Sequence, residues 1–109
     1  MASSKEYLHF ILEQLSDLED ITYYYMMREY ILYYRNKIIG GIYDDRLLVK
    51  PVQSAIDYVS NPVYALPYEG AKQMLLIEEV DNREFLTGLF EAMYDELPER
   101  KPRRKKKKA

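Results

Sequence analysis

The sequence predicts an α+β fold: an antiparallel five-stranded sheet, a four-strand meander plus one, with two long helices packed on one face and a short middle helix. Two observations carry that prediction. Residues 22–51, TYYYMMREYILYYRNKIIGGIYDDRLLVKP, are dense in β-branched and aromatic side chains and are broken by short polar turns at regular intervals. On either side of this block apolar residues recur at helical spacing, as Leu8, Ile11, Leu12, Leu15 and Leu18 before it and Phe85, Leu86, Leu89, Phe90, Met93 and Leu97 after it. The length of 109 residues fits one domain and suffices for an unstapled core. We divide it into a folded domain over residues 1–99 and a disordered basic tail over 100–109.

The elements follow in order. Ser3 and Glu6 have the spacing of a capping box and start the first helix. Residues 22–27 and 29–35 form the first two strands. Asn36 then supplies the left-handed backbone that a tight hairpin needs before a third strand at 38–43. Asp44-Asp45 makes the next two-residue turn, the fourth strand is 46–50, and Pro51 ends it because it cannot donate to a ladder. Ser54 caps a short helix to Val59, stopped by Asn61-Pro62, and residues 62–70 read as a loop with two prolines and a glycine. A fifth strand lies within 72–79. Asp81 and Glu84 repeat the capping-box spacing for the last helix, which Pro98 terminates.

Alternation along the strands assigns two faces. Tyr30, Leu32 and Tyr34 point to the helices, joined by Ile38, Ile42, Leu47, Val49, Met74 and Leu76. The other face carries Tyr24, Met26, Ile31, Tyr33, Ile39, Tyr43, Leu48, Leu75 and Ile77, too apolar a set to leave in water. Either another molecule covers it, a second copy in a homodimer or a different protein, or the middle helix and the 62–70 loop fold over it. These nine residues are the candidate interface.

Function classes narrow by chemistry. No cysteine is present, which removes disulfides, thiolate zinc sites and cysteine nucleophiles. No signal-peptide-like or membrane-spanning run occurs, and Ala2 breaks the myristoylation pattern, so a cytoplasmic protein without membrane attachment is expected. His9, the only histidine, reads as a helix-surface residue and not as a general base. Asp44-Asp45 reads as turn chemistry, and Glu78, Glu79 and Asp81 as acids before a helix start, so no metal, cofactor or catalytic residue is assigned. Gly40-Gly41 lacks the helix of a phosphate loop and reads as a bulge or close approach. A small-ligand cleft near Gly40, Lys50 and Tyr68 is the alternative at that end of the sheet.

Charge is divided unevenly. Residues 1–99 carry 8 basic and 18 acidic residues, a net −10, while Arg100, Lys101, Arg103, Arg104, Lys105, Lys106, Lys107 and Lys108 follow with no acid among them. The tail suits weak, sequence-blind contact with nucleic-acid phosphates, or serves only to solubilise or to lie on the acidic surface of the body itself.

Met26-Met27-Arg28-Glu29-Tyr30, Tyr33-Tyr34-Arg35-Asn36-Lys37, Gly40-Gly41-Ile42-Tyr43-Asp44, Leu48-Val49-Lys50-Pro51, Leu66-Pro67-Tyr68-Glu69-Gly70-Ala71-Lys72 and Glu91-Ala92-Met93-Tyr94 together resemble the N-terminal domain of the TfoX/Sxy competence regulators. The likeness is strongest to single-domain members from Gram-positive bacteria. It implies an antiparallel sheet with helices mainly on one side, and a bacterial, non-enzymatic module for transcription regulation or protein interaction. The family commonly has glycine where this chain has Arg28 and Asn36. The two-domain regulators carry a C-terminal helical domain to which nothing in these 109 residues corresponds, so the resemblance implies a module of the N-terminal type.

Overall fold

The computed structural model describes residues 4–98. In chain order these form α1 (Lys5–Gln14), β1 (Ile21–Met26), β2 (Glu29–Tyr34), β3 (Lys37–Ile42), β4 (Leu47–Val49), α2 (Gln53–Tyr58), β5 (Val63–Ala65), β6 (Met74–Ile77) and α3 (Arg83–Met93), which a 3-10 turn at Tyr94–Glu96 prolongs. All strands join one antiparallel sheet in the order β1-β2-β3-β4-β6-β5. The sheet therefore has six strands, which corrects the five expected. The added strand, β5, lies inside the stretch read as a loop. Three residues between Pro62 and Pro67 are too few to show alternation, and they form a strand because β6 offers its free side: Val63 pairs with Leu76, Tyr64 with Leu75 and Ala65 with Met74.

The meander β1 to β4 is built from three two-residue hairpins. Met27 and Arg28, Arg35 and Asn36, and Asp44 and Asp45 all have positive φ, between 52° and 70°. That is the type I′ geometry whose twist matches the strands it joins. Arg28 and Asn36 both sit at φ 70°, so each meets a backbone demand that glycine would meet without strain.

Both long helices are capped one residue later than the capping-box spacing suggests. The Ser4 hydroxyl accepts from Tyr7 N–H at 3.1 Å, and the Asn82 side chain from Phe85 N–H at 3.1 Å. Each has an adjacent residue that can cap, and pattern alone does not choose between them. Ser3, the expected cap, lies outside the described residues. Asp45 in the third hairpin turn accepts the Ser4 N–H at 2.8 Å, the bond a capping-box glutamate would otherwise make. The short helix begins after Val52 without a side-chain cap, and Ser54, the expected cap, falls inside it.

One core lies between the sheet and the helices. Leu8 and Ile11 from α1 and Leu15 just after it meet Leu86, Leu89, Phe90 and Met93 from α3 over Leu32, Ile42, Leu47 and Val49, all essentially inaccessible to water. Burying each of these side chains contributes about 1.5–3 kcal/mol. α2 packs on α3 through Ala55 and through Tyr58, whose hydroxyl occupies the space a side chain at Gly88 would need.

Six residues lie on the face opposite to the one assigned, three in each direction. Ile39, Leu75 and Ile77, expected on the outer face, belong to the core, while Ile38, Met74 and Leu76 turn outward and are half-buried. In β3 the cause is a bulge: Tyr33 pairs with Ile38 but Leu32 with Gly40, so a fixed alternation places one end of the strand correctly and inverts the other. In β6 all four residues are apolar, and only the pairing of Leu47 with Ile77 and Val49 with Leu75 sets the frame.

Candidate interaction surface

The outer face of the sheet divides into a roofed half and an open half. Of the nine interface candidates, Tyr24, Met26, Ile31, Tyr33, Tyr43 and Leu48 lie on it. Tyr24 and Met26 on β1 pair with Ile31 and Glu29 on β2, so all four share this face at the sheet's free edge. Tyr24 and Met26 are exposed, and Ile31 and Tyr33 half-buried. Leu48 points the same way yet is fully buried.

The β5–β6 connection forms the roof. Pro67 is buried, and Pro67, Tyr68 and residues 70–73 line a groove together with Ile38, Gly40, Tyr43 and Lys50. Arg46 tethers this cover: its Nε donates to Tyr43 C=O and its Nη2 to Leu66 C=O, both at 3.1 Å. The Tyr68 ring lies 6.4 Å from that of Tyr43, which in turn lies over Gly41, where any Cβ would strike it. Burial pushes the Tyr43 hydroxyl above its usual pKa, with Tyr68 and Glu29 adding to the shift. The phenol is therefore a neutral, fixed part of the wall.

Where the roof stops, a second hollow opens. Met26, Met27, Glu29, Ile31, Tyr43 and Tyr68 line a mainly apolar groove of about 380 Å³. Glu29 is held at its floor, accepting Asp44 N–H at 3.2 Å. Methionine and tyrosine give such a groove an adaptable, low-entropy lining with a polar rim. Sequence reasoning missed Met27, which is strongly exposed, and placed Tyr68 only in the alternative ligand cleft and not in this groove. Met27 carried no readable signal, since the strand pattern runs through it and only the pairing on either side makes it a turn residue.

Other candidates find structural places. Gly40, Lys50 and Tyr68 do line one groove, open and about 720 Å³ in volume. Gly40 is required by strand packing there, since a Cβ would strike Leu48 C=O and come within 2.7 Å of Val49 Cα. His9 is exposed on α1. Asp45 serves the α1 cap, and Glu79 C=O accepts the Asn82 N–H ahead of α3. Among the described residues no cluster of three or more His, Cys, Asp or Glu is placed to hold a metal ion. No helix among them is long and apolar enough to cross a membrane. The basic candidates Arg100 to Lys108 lie outside the described residues.

The fold and its surface define an α+β protein with helices on one side of an antiparallel sheet and a half-open apolar face on the other. A protein of Spirochaeta aurantia, "Uncharacterized 12.7 kDa protein in trpE 5'region", is 30% identical over 109 residues, covering 99% of this chain and 95% of that one. The chain belongs to the family of that protein. No family model and no solved structure matches it.

Proposed function

We propose that this protein is a non-enzymatic, cytoplasmic interaction module of regulatory type, as its resemblance to the TfoX N-terminal domain implies, and that it works by docking another protein chain on the open half of its outer sheet face. The observation that supports this reading is the Met26–Met27–Ile31–Tyr43–Tyr68 groove, apolar, accessible and next to further exposed tyrosines. Contiguous apolar surface of this kind is costly to leave in water and usually marks an interface. Ile31→Lys places a charge in the groove without entering the core. Affinity purification from the native host should lose whatever co-purifies with the wild-type chain, at an unchanged melting temperature. An identical co-purifying set would sink the reading.

Two other readings have an observation each. The eight basic residues of the tail favour weak nucleic-acid contact, and deleting 100–109 should then abolish a low-salt gel shift that high salt also abolishes. The groove shared by Gly40, Lys50 and Tyr68 favours a small anionic ligand, which Lys50→Met would stop from raising the melting temperature.

A further inference from the structure

The two edges of the sheet are unlike. β5, at one edge, is three residues long with Pro62 before it and Pro67 two residues after, the usual protection against unwanted pairing. β1, at the other, is six residues of Ile-Thr-Tyr-Tyr-Tyr-Met without charge or proline, in unbroken register with β2. Its free hydrogen-bonding groups can be identified. Asp20 C=O accepts Arg35 N–H at 3.0 Å, so the even-numbered residues of β1 turn their main chain toward β2. The N–H and C=O groups of Ile21, Tyr23 and Tyr25 therefore face outward.

We infer that β1 is a self-docking edge: a second copy adds its own β1 antiparallel to it, with Tyr24 opposite Tyr24 of the partner subunit, joining two six-stranded sheets into one of twelve. This deepens the interaction reading by naming a partner and a surface beside the groove.

Symmetry limits the registers. A twofold axis that sets two identical edge strands antiparallel stands perpendicular to the sheet, so it keeps faces together, and only residues of like face can lie opposite. The outward-facing groups of Tyr23 and Tyr25 then bond to Tyr25 and Tyr23 of the partner subunit. Thr22 stands opposite Met26 of the partner subunit, and just beyond the strand Asp20 stands opposite Arg28 of the partner subunit. Shifting the register by two residues in either direction puts Asp20 opposite Met26 or Tyr30 of the partner subunit. Charge complementarity, made twice by the symmetry, thus selects the Tyr24-centred register and favours a copy of this chain over an unrelated strand.

The exposed side chains of the edge set a ceiling on the area. Tyr23, Tyr24 and Tyr25 are 46%, 57% and 55% exposed, Met26 44% and Met27 86%. At about 200 Å² for a large side chain they can supply up to about 600 Å² per copy, or about 1,200 Å² in all, which reaches the range of stable interfaces only if they are fully covered.

The full chain should sediment as a dimer at micromolar concentration. Arg28→Asp, which sets Asp opposite Asp, should weaken the dimer at least tenfold, and the swap Asp20→Arg with Arg28→Asp should restore it. Because the chain has no cysteine, Tyr24→Cys gives a single thiol at a non-hydrogen-bonded pair, with Cα atoms about 4.5 Å apart. Mild oxidation should link it into a covalent dimer. Thr22→Cys, whose symmetry mates lie about 13 Å apart at 3.3 Å per residue, should stay unlinked. A monomer at 100 µM, or Thr22→Cys linking as readily as Tyr24→Cys, overturns the proposal. A dimer lost on Ile31→Lys but indifferent to Arg28→Asp and Tyr24→Cys would also overturn it, and would leave the groove reading standing. A monomer whose partner is still lost on Ile31→Lys separates the two in the same direction.

Discussion

Six residues without a glycine among them hold the left-handed backbone of three hairpins. For most L-residues this conformation costs about 1–2 kcal/mol, and for asparagine less, because its short amide bonds locally. The strain is greater at Arg28 than at Asn36, although both sit at φ 70°. Arg28→Gly should therefore stabilise the monomer by about 1 kcal/mol, roughly 4–8 °C in melting temperature for a domain of this size, and Asn36→Gly by distinctly less. Melting curves recorded under conditions where self-association is absent check both. Equal gains at the two positions would mean that the Arg28 side chain compensates for its backbone. Positive φ was legible at Asn36, where residue type and turn position agree, and at the Asp44-Asp45 turn. It was not legible at Met27, because methionine carries no turn signal and only the strand pairing on either side imposes the geometry.

At the scale of elements, α2 is too short to stand alone, with 6 residues and no side-chain cap. It is held by Glu96 in the 3-10 turn, whose Oε1 accepts Ser54 N–H at 2.6 Å. That backbone hydrogen bond is the leading reason the Glu96 carboxyl lies below its ordinary value of 4.5. A carboxyl lowered in the folded state stabilises the fold fully above the unfolded value, and the contribution is lost as pH falls through the lower, folded one. Acidification below about 4.5 should thus loosen α2 from the 3-10 turn, and Glu96→Gln should remove that part of the acid sensitivity. Exchange rates of the α2 amides against pH, in wild type and variant, measure it; parallel profiles would refute the clasp. Nothing in the sequence ties Ser54 to Glu96, 42 residues away. The long helices, by contrast, were legible from stripes that need no partner to be seen. β2 was legible because Glu29 marks its outer side and Tyr30, Leu32 and Tyr34 alternate against it. Arg35, read with that outer side, lies instead in the turn, with its guanidinium over Tyr34 and Tyr94 on the helix side. β6, apolar at every position, takes its frame from β4 alone.

The whole molecule is a sheet with a complete layer on one side and a partial one on the other. The helices close the first side over a continuous core, and the β5–β6 connection covers the second only as far as Tyr43 and Tyr68. Its hold on the sheet includes Arg46, which is fixed within the third hairpin by its bond to Tyr43 C=O and reaches across to Leu66 C=O. Both acceptors are main-chain carbonyls, and the Leu66 bond is exposed, so each contributes about 1 kcal/mol, the ordinary net value of a hydrogen bond. That is little beside global stability, yet decisive for a segment with few apolar anchors of its own. Arg46→Ala should therefore leave the melting temperature within a few degrees of wild type. It should also speed amide exchange about tenfold across residues 66–73, where Ala71 N–H is bonded to Tyr68 C=O, while the amides of β2 and α3 keep their rates. Loosening the roof uncovers Leu48 and extends the open groove toward β4, so binding of a hydrophobic dye should rise in step with the exchange. A uniform acceleration over the chain would mean that the roof belongs to the core's cooperative unit, and the boundary between covered and open face would then be fixed instead of adjustable.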